Sequence, residues 1–442
     1  MAREMKDSGV EWIGEIPKDW LVRKIKHSFR VFAGATPKSE KPEYWNGDIS
    51  WITPADYKTE EKYVYTGRKN ISMEGYKSCG TTIVPKGSVI FSKRAPVGTV
   101  AISGNELCTN QGCLACVPFE TVDSIYNYYT ISVLTEQFEL VSSGTTFKEI
   151  SANSFVNFPL PFPIYEEQIK ISSFLDKKCA ELNKVIEKTR ESIEEYKKLK
   201  QAVITQAVTK GIRGDRETKD SCNIRWGKIP SDWSLIRIKN CIIDLKSGLS
   251  SVTNDENAGE SGYYVLRTSA VSSGVFLPKE VKPVLTSAIN RLVCPVEKDT
   301  IVVSRMNTSA MVGTCAYVDN EYPGLFLPDK LWKIHIKRKY YTKYFWYVIN
   351  SIPARSLFDE ISTGASMSMQ NISVTDFVNN YVTVPPLDEQ KEIVHYLDQK
   401  CSVINELITK KEKYLSEIEN YKKSLIYEYV AGKKEVPQEY QK

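Results

Sequence analysis

No run of about 18 consecutive apolar residues occurs anywhere in this 442-residue chain, which argues against a membrane-spanning helix. The opening, MAREMKDSGVEWIGEIP, is polar and carries no apolar stretch of the signal-peptide kind, so a cytoplasmic location is expected. Histidine is scarce. The three copies, His27, His335 and His395, lie far in sequence from the Cys-x-x-Cys pair at Cys113 and Cys116. No second pair follows at zinc-finger spacing, so the ten cysteines read as buried thiols and no metal site is expected.

Catalytic signatures are missing as well. The chain has no G-x-x-x-x-G-K-[ST] phosphate loop, no H-E-x-x-H, no G-x-S-x-G elbow and no H-x-E with P-C-x-x-C. It also lacks the Asn-Pro-Pro-Tyr or Asp-Pro-Pro-Tyr tetrad of adenine methyltransferases and any convincing glycine-rich cofactor loop. Together these absences favour a binding protein over an enzyme. Net charge is +5 with a pI near 8.4. That bias toward polyanions is mild, so a nucleic-acid partner requires the positive charge to be concentrated locally.

What the chain does have is a long internal repeat. PFPIYEEQIKISSFLDKKCAEL, from Pro161, returns from Val384 as VPPLDEQKEIVHYLDQKCSVI, with Gln168 falling on Gln390 and Asp176 on Asp398, 222 residues later. In the first copy apolar residues recur at steps of three and four: Leu175, Cys179, Leu182, Ile186, Ile193, Tyr196, Val203 and Ala207. The second copy gives Leu397, Cys401, Ile404, Ile408, Leu415, Ile418, Leu425 and Tyr429. Thr189 and Lys200 interrupt the first series, and Lys411 and Lys422 interrupt the second at the same points. A 3.5-residue period held this long predicts a coiled-coil seam. Prolines followed by Glu166-Glu167 and Asp388-Glu389 open the helices, and Gly211 and Gly432 close them. At about 1.5 Å per residue, 166–210 makes a rod of roughly 65–70 Å. Such a seam has to be buried, and the other copy is the nearest match; a different protein or a homodimer is the competing arrangement.

The intervening segments repeat more loosely. WIGEIPKDW at Trp12–Trp20 reappears as RWGKIPSDW ending at Trp233, and the SGTT before Phe155 answers the STGAS before Phe377. Between these bookends little identity remains. Strands are expected around 82–91 and 97–102 in the first interior and around 300–304 and 312–318 in the second, with helices near 124–141 and 342–361. The fold class read from this is α+β: two globular domains joined by two long helices, with internal pseudo-two-fold symmetry. The division is 1–162 globular, 163–211 helix, 212–221 polar linker, 222–384 globular, 385–433 helix, and a 434–442 tail with no assigned role.

Candidate contact residues sit in the polar loops. Lys93 and Arg94 lie between two strand-like runs, and Arg305 and Asn307 occupy the matching place in the second interior. Lysine and arginine can reach guanine edges or phosphates, and asparagine can read adenine. Thr146 and Lys148, beside the loop that answers 366–369, form a second set, with Arg267 opposite the Thr53–Asp56 segment in the other interior. Trp45, Trp51 and Tyr57 could stack on a base, although core packing is the simpler role.

The doubled opening, together with SGTTFKEIS…FPLPFPIYEEQIKISSFLD and STGASMSMQNIS…VPPLDEQKEIVHYLD, resembles the specificity subunits of type I restriction–modification systems over nearly the whole chain. The resemblance implies two target-recognition domains that each read half of a split, asymmetric double-stranded DNA sequence. It further implies antiparallel helices that act as a ruler and dock two modification (methyltransferase) subunits, with motor/nuclease restriction subunits joining them. On that reading the chain is not an enzyme and binds no cofactor. S-adenosylmethionine, ATP and Mg2+ belong to the partners. The rival readings are a fused restriction enzyme, which the missing tetrad and short length oppose, and a non-enzymatic coiled-coil scaffold with two head domains and no sequence-specific DNA binding.

Overall fold

A computed structural model describes residues 3–58, 60–94, 96–143, 148–249, 262–366 and 369–440. The chain divides into two compact units, Met1–Arg190 with Lys413–Lys442, and Glu191–Glu412. Each unit takes a globular part and a portion of both long helices, Tyr165–Lys210 and Leu387–Val430. Among the described residues no helix is long and apolar enough to cross a membrane.

The first unit is built on a five-stranded sheet in the order Phe29–Ala33, Cys113–Pro118, Val89–Ser92, Val100–Ser103, Tyr63–Val64. Its neighbours are antiparallel except the last pair. A three-stranded sheet, Cys108–Thr109, Trp45–Ile52, Lys69–Ile71, lies alongside it in the chain's topology. The second unit repeats the plan with Ile242–Ser247, Leu331–Ile336, Thr300–Ser304 and Cys315–Val318, and a smaller sheet of Val281–Pro283, Tyr264–Leu266 and Leu325–Phe326.

Three local expectations are corrected. The strand expected over 82–91 begins only at Val89, because Pro85 cannot donate to a ladder and a turn at Pro85 places Ser88 N–H on its carbonyl. The helix expected over 124–141 is two, Ser124–Ser132 and Thr135–Leu140. The helix expected over 342–361 also breaks, into Thr342–Ile349 and Ile352–Ile361, with Pro353 in the first turn of the second piece, where a missing N–H costs nothing.

Within each unit the helices run antiparallel, because rising residue numbers on one meet falling numbers on the other. In the first unit Phe174 lies 4.5 Å from Tyr429 between ring centroids, Lys422 Nζ donates to Asn183 Oδ1 at 2.7 Å, and Arg190 pairs with Glu419 at 2.6 Å. In the second, Lys411 lies over the Tyr196 ring and Lys200 Nζ donates to Asn405 Oδ1 at 2.9 Å. The lysines that interrupt the apolar series are therefore partnered. Two of them reach an asparagine of the opposite helix, Lys200 to Asn405 in one unit and Lys422 to Asn183 in the other, and Lys411 lies over the Tyr196 ring. Thr189 is buried and satisfies its hydroxyl on Val185 O.

The seam follows the expected residues only in part. Leu175, Ile186, Ile418 and Leu425 are buried in the first unit and Ile193, Leu397 and Ile404 in the second. Leu182, Tyr196, Ile408 and Leu415 are half-buried, and Val203 gives way to Ile204 as the buried residue. From Ile193 to Ile204 the buried stripe advances by 11 residues. An α-helix of 3.6 residues per turn drifts off a strict seven-residue repeat, and an 11-residue step absorbs the drift.

The repeated polar residues at the helix openings fasten each globular part to its helix. Gln168 Oε1 accepts from Asp123 N–H while its amide donates to Pro163 O, and Gln390 does the same with Tyr341 N–H and Pro385 O. Asp176 accepts from Tyr129 Oη and Lys62 Nζ, both at 2.7 Å; Asp398 accepts from Tyr347 Oη and Lys343 Nζ. Glu167 takes the Trp20 indole N–H and the Arg3 guanidinium, which also holds Asp19. Glu389, Trp233, Arg216 and Asp232 form the same network in the second unit. The D-W of the repeated opening and the E-Q and L-D of the repeated helix are thus two halves of one joint, made twice.

Two segments read as passive have structure. Thr218–Asp220, in the expected linker, is a strand paired with Lys228–Pro230, as Met5–Asp7 is with Glu15–Pro17. In the tail, Val436 joins the first unit's core and the Tyr440 ring stands edge-on to Phe174.

Candidate nucleic-acid interface

In the first unit, the ends of several strands emerge at one edge, and their backbones tie the following loops together. Asn110 N–H donates to Ile52 O, Ala35 N–H to Thr109 O, Lys93 N–H to Gly112 O, and Ile150 N–H to Lys93 O. Residues 34–37, 53–56, 93–94, 110–112 and 148–149 therefore share one rim. This brings together Lys93, Arg94 and Lys148, which the sequence offered as two separate sets. Thr146 lies outside the described residues.

Glu149 organises the cations of this rim. Its carboxylate meets Lys93 Nζ at 2.9 Å and Arg94 Nε at 3.0 Å, while Lys148 turns to Glu139 at 3.1 Å. The Lys93 ammonium, working against partial burial and joined by the Arg94 guanidinium, holds the Glu149 carboxyl below its ordinary range. The 53–56 turn is shaped by Asp56, whose carboxylate accepts from Thr53 N–H, Thr53 Oγ1 and Arg68 N–H. Arg68 itself is largely exposed, donating to Ala55 O at 2.6 Å. Thr36 Oγ1 and the Gln111 amide are hydrogen-bonded on the same rim.

The second unit repeats the construction with other side chains. Arg305 N–H donates to Lys330 O, Ile372 N–H to Arg305 O, and Gly248 N–H to Pro328 O. The strand Met306–Asn307 pairs with Met369–Asn371, so the segments around 305–308 and 369–371 converge. Arg305 is half-buried; its Nε donates to Asn371 Oδ1 at 3.3 Å and its guanidinium lies 5.7 Å from the Trp332 ring centroid. Asn307 Nδ2 donates to Ser272 Oγ and Ser304 Oγ, and its Oδ1 accepts from Thr308 N–H. Arg267 is exposed at the end of Tyr264–Leu266, which runs parallel to Leu325–Phe326 and so leads to the same edge as Pro328 and Lys330.

The aromatic candidates belong to the core. Trp51 is buried with Trp45 edge-on at 5.2 Å, and the buried Tyr57 contacts Cys113 Sγ through its hydroxyl. Burial pushes the Cys113 thiol up to about 12, which leaves a protonated, unreactive sulfur at neutral pH. Sequence reasoning missed Glu149, Asn371, Arg68 and Lys330. A signal for the first two was available: Glu149-Ile150-Ser151 and Asn371-Ile372-Ser373 stand 222 residues apart, the same offset as the helices.

Each unit thus presents a polar, cation-bearing rim on a common frame, able to donate to phosphates and base edges. Comparison with known proteins points the same way. The profile of the type I restriction modification DNA specificity domain matches residues 17–195 and again 230–419. Over 166 residues the chain is 43% identical to the MjaIX type I restriction enzyme specificity subunit of Methanocaldococcus jannaschii, a match covering 37% of this chain and 38% of that one. Against the EcoKI specificity subunit of Escherichia coli it is 21% identical over 447 residues, covering 95% and 90%. The matches take in 38% and 45% of the first two curated relatives' lengths. A chain solved in work on assembly and conformational transition of the type I R-M system superposes with a TM-score of 0.67 at 14% identity, over 94% of this chain and 98% of that one, a likeness of fold.

Proposed function

The chain belongs to the type I restriction-modification DNA specificity family, and from that premise we propose that it is the DNA-reading, non-catalytic subunit of such a system, working in the cytoplasm. Each unit reads one half of a split target in double-stranded DNA. Lys93, Arg94 and Lys148 supply one rim, and Arg267, Arg305 and Asn307 the other. The long helices set the spacing and dock two methyltransferase subunits, which bring S-adenosylmethionine. Motor/nuclease subunits, using ATP and Mg2+, complete the restriction enzyme.

The observation that carries this reading is the duplicated frame with unlike rims. Matching joints hold both globular parts to their helices, whereas the residues at the rim differ: Lys93, Arg94 and Glu149 on one, Arg305, Met306 and Asn371 on the other. Two different readers on one frame give an asymmetric target. Phosphate contacts supply affinity without sequence information, while a well-placed bidentate contact to a base edge discriminates by about 1–3 kcal/mol.

The test is methylation mapping in cells that express this chain with a type I methyltransferase, against cells lacking the chain. A split adenine-methylated motif present only with the chain is the expected result. Absence of any chain-dependent motif refutes it. Arg305→Ala is expected to relax only the half read by the second unit; equal loss of both halves would make Arg305 a structural residue.

A further inference from the structure

The two rims share one device, built with a carboxylate in one unit and an amide in the other. Lys93 and Arg305 occupy the same place in their frames: each takes the N–H of the following isoleucine, Ile150 or Ile372, on its carbonyl, and each donates its own N–H to a neighbouring loop, at Gly112 or Lys330. The residue before that isoleucine is Glu149 in one unit and Asn371 in the other, and each is bridged through its backbone to the start of its loop, at Ser143 or Thr363. Both side chains turn back onto the cation, Glu149 onto Lys93 and Arg94, Asn371 onto Arg305.

Resting on the specificity-subunit reading, we infer that Glu149 and Asn371 are one positioning and specificity-determining residue used twice, and that Glu149 makes DNA capture by the first unit conditional. The carboxylate pairs with both cations nearest the rim, cancels one of their two charges and repels phosphates. For Lys93 and Arg94 to engage DNA, Glu149 has to release them, and its own lost partners are replaced only where a base edge offers a donor, such as the cytosine or adenine amino group. DNA without that donor leaves a desolvated carboxylate unpaired. Asn371 imposes no such charge, because its amide both donates and accepts. The second unit therefore supplies the more general affinity, and the first supplies the stricter test.

The experiment uses the assembled complex with its methyltransferase subunits and compares wild type with Glu149→Gln, Glu149→Asp and Asn371→Asp. Binding to a non-specific duplex is measured across salt concentration, and the methylated motif is mapped for each variant. Each cation newly available to phosphate steepens the slope of log K against log salt by about 0.9. E149Q is expected to steepen it by roughly one to two and to broaden the half-site read by the first unit alone. E149D, which keeps the charge, is expected to stay close to wild type. N371D is expected to flatten the slope and to weaken only the other half-site. An unchanged slope and motif in E149Q, or equal loss of both half-sites, overturns the inference. A wild-type complex that writes no split motif instead refutes the specificity-subunit reading itself, before any variant is compared.

Discussion

Removing Glu389 is expected to cost far more than removing its counterpart Glu167, although the two make the same contacts. The Glu389 side chain is 2% exposed and sits in the first turn of its helix, where it also faces the positive end of the backbone dipole. It accepts from Trp233 Nε1 at 3.0 Å and pairs with Arg216, which is shared with Asp232 at 2.7 Å. In Glu389→Ala the indole N–H loses its acceptor and the half-buried Arg216 guanidinium loses its buried counter-charge. Breaking one side of a buried ion pair costs about 3–5 kcal/mol, and the indole bond is part of that figure, not an addition to it. Glu167 is 21% exposed, so water can replace part of what Glu167→Ala removes from Trp20 and Arg3. That change is expected to cost about 1–2 kcal/mol. Native-state hydrogen exchange on the full chain in its complex reads both effects by region. E389A is expected to raise exchange within 191–412, around Ser234–Arg237 and Tyr381–Val384, and to leave the other unit unchanged. Equal losses for E167A and E389A, or a loss below about 1 kcal/mol for E389A, would refute the reasoning from burial.

Other expectations follow from the same joints. Gly432 has φ +69°, and a Cβ there would lie 2.4 Å from Pro17 Cδ, whereas at Gly211, φ +78°, the nearest atom is the movable Arg216 Nη1 at 3.0 Å. Gly211→Ala is therefore expected to cost the left-handed penalty of about 1–2 kcal/mol and Gly432→Ala distinctly more, read as shifts in urea midpoint at constant slope. Truncation after Lys434 removes Val436 and the Tyr440 ring, which stands 5.1 Å from Phe174 and 4.8 Å from Lys177 Nζ. A loss of about 2–4 kcal/mol is expected, confined to the first unit; unaltered exchange over 165–180 would make the tail dispensable. Acid is expected to weaken the second unit through Asp244 and Glu297, which flank His335 at 2.6 and 2.7 Å. Partial burial opposes their ionisation, but bonds from Lys246 and His335 to Asp244, and from Lys333 and His335 to Glu297, outweigh it and hold both below the ordinary carboxylate range. Carboxylates depressed on folding contribute stability above their unfolded values and lose it as pH falls through the folded ones. Urea titrations of wild type and Asp244→Asn are thus expected to converge below about pH 4; parallel curves down to pH 3 would exclude the mechanism.

The helices and the repeat were legible because their signals are local. Three- and four-residue spacing writes an amphipathic face directly into the chain, and a second copy at a fixed offset doubles the signal. Local spacing also set the limit of that reading. The strict seven-residue period names Val203, but accumulated helical drift buries Ile204. Pro85 and Pro353 were visible in the sequence and moved element boundaries because proline acts on the backbone hydrogen bonds around it, whatever the apolar pattern.

By itself the sequence determined the two-unit plan, the long helices, the lack of catalytic signatures and the family, since each depends on residues close together or on the repeat. Only the tertiary structure decided which loops share a rim, because Lys93 meets Gly112 and Ile150, 19 and 57 residues further along the chain, through strand pairing and backbone bonds. It also turned the most recognisable letters of the sequence, D-W, E-Q and L-D, into joints, and turned an unremarked glutamate into the partner of two candidate reading cations. Long-range pairing has no period to read in the chain. It is set by how buried strands and helices fit once they are folded together, and that is where the site is made.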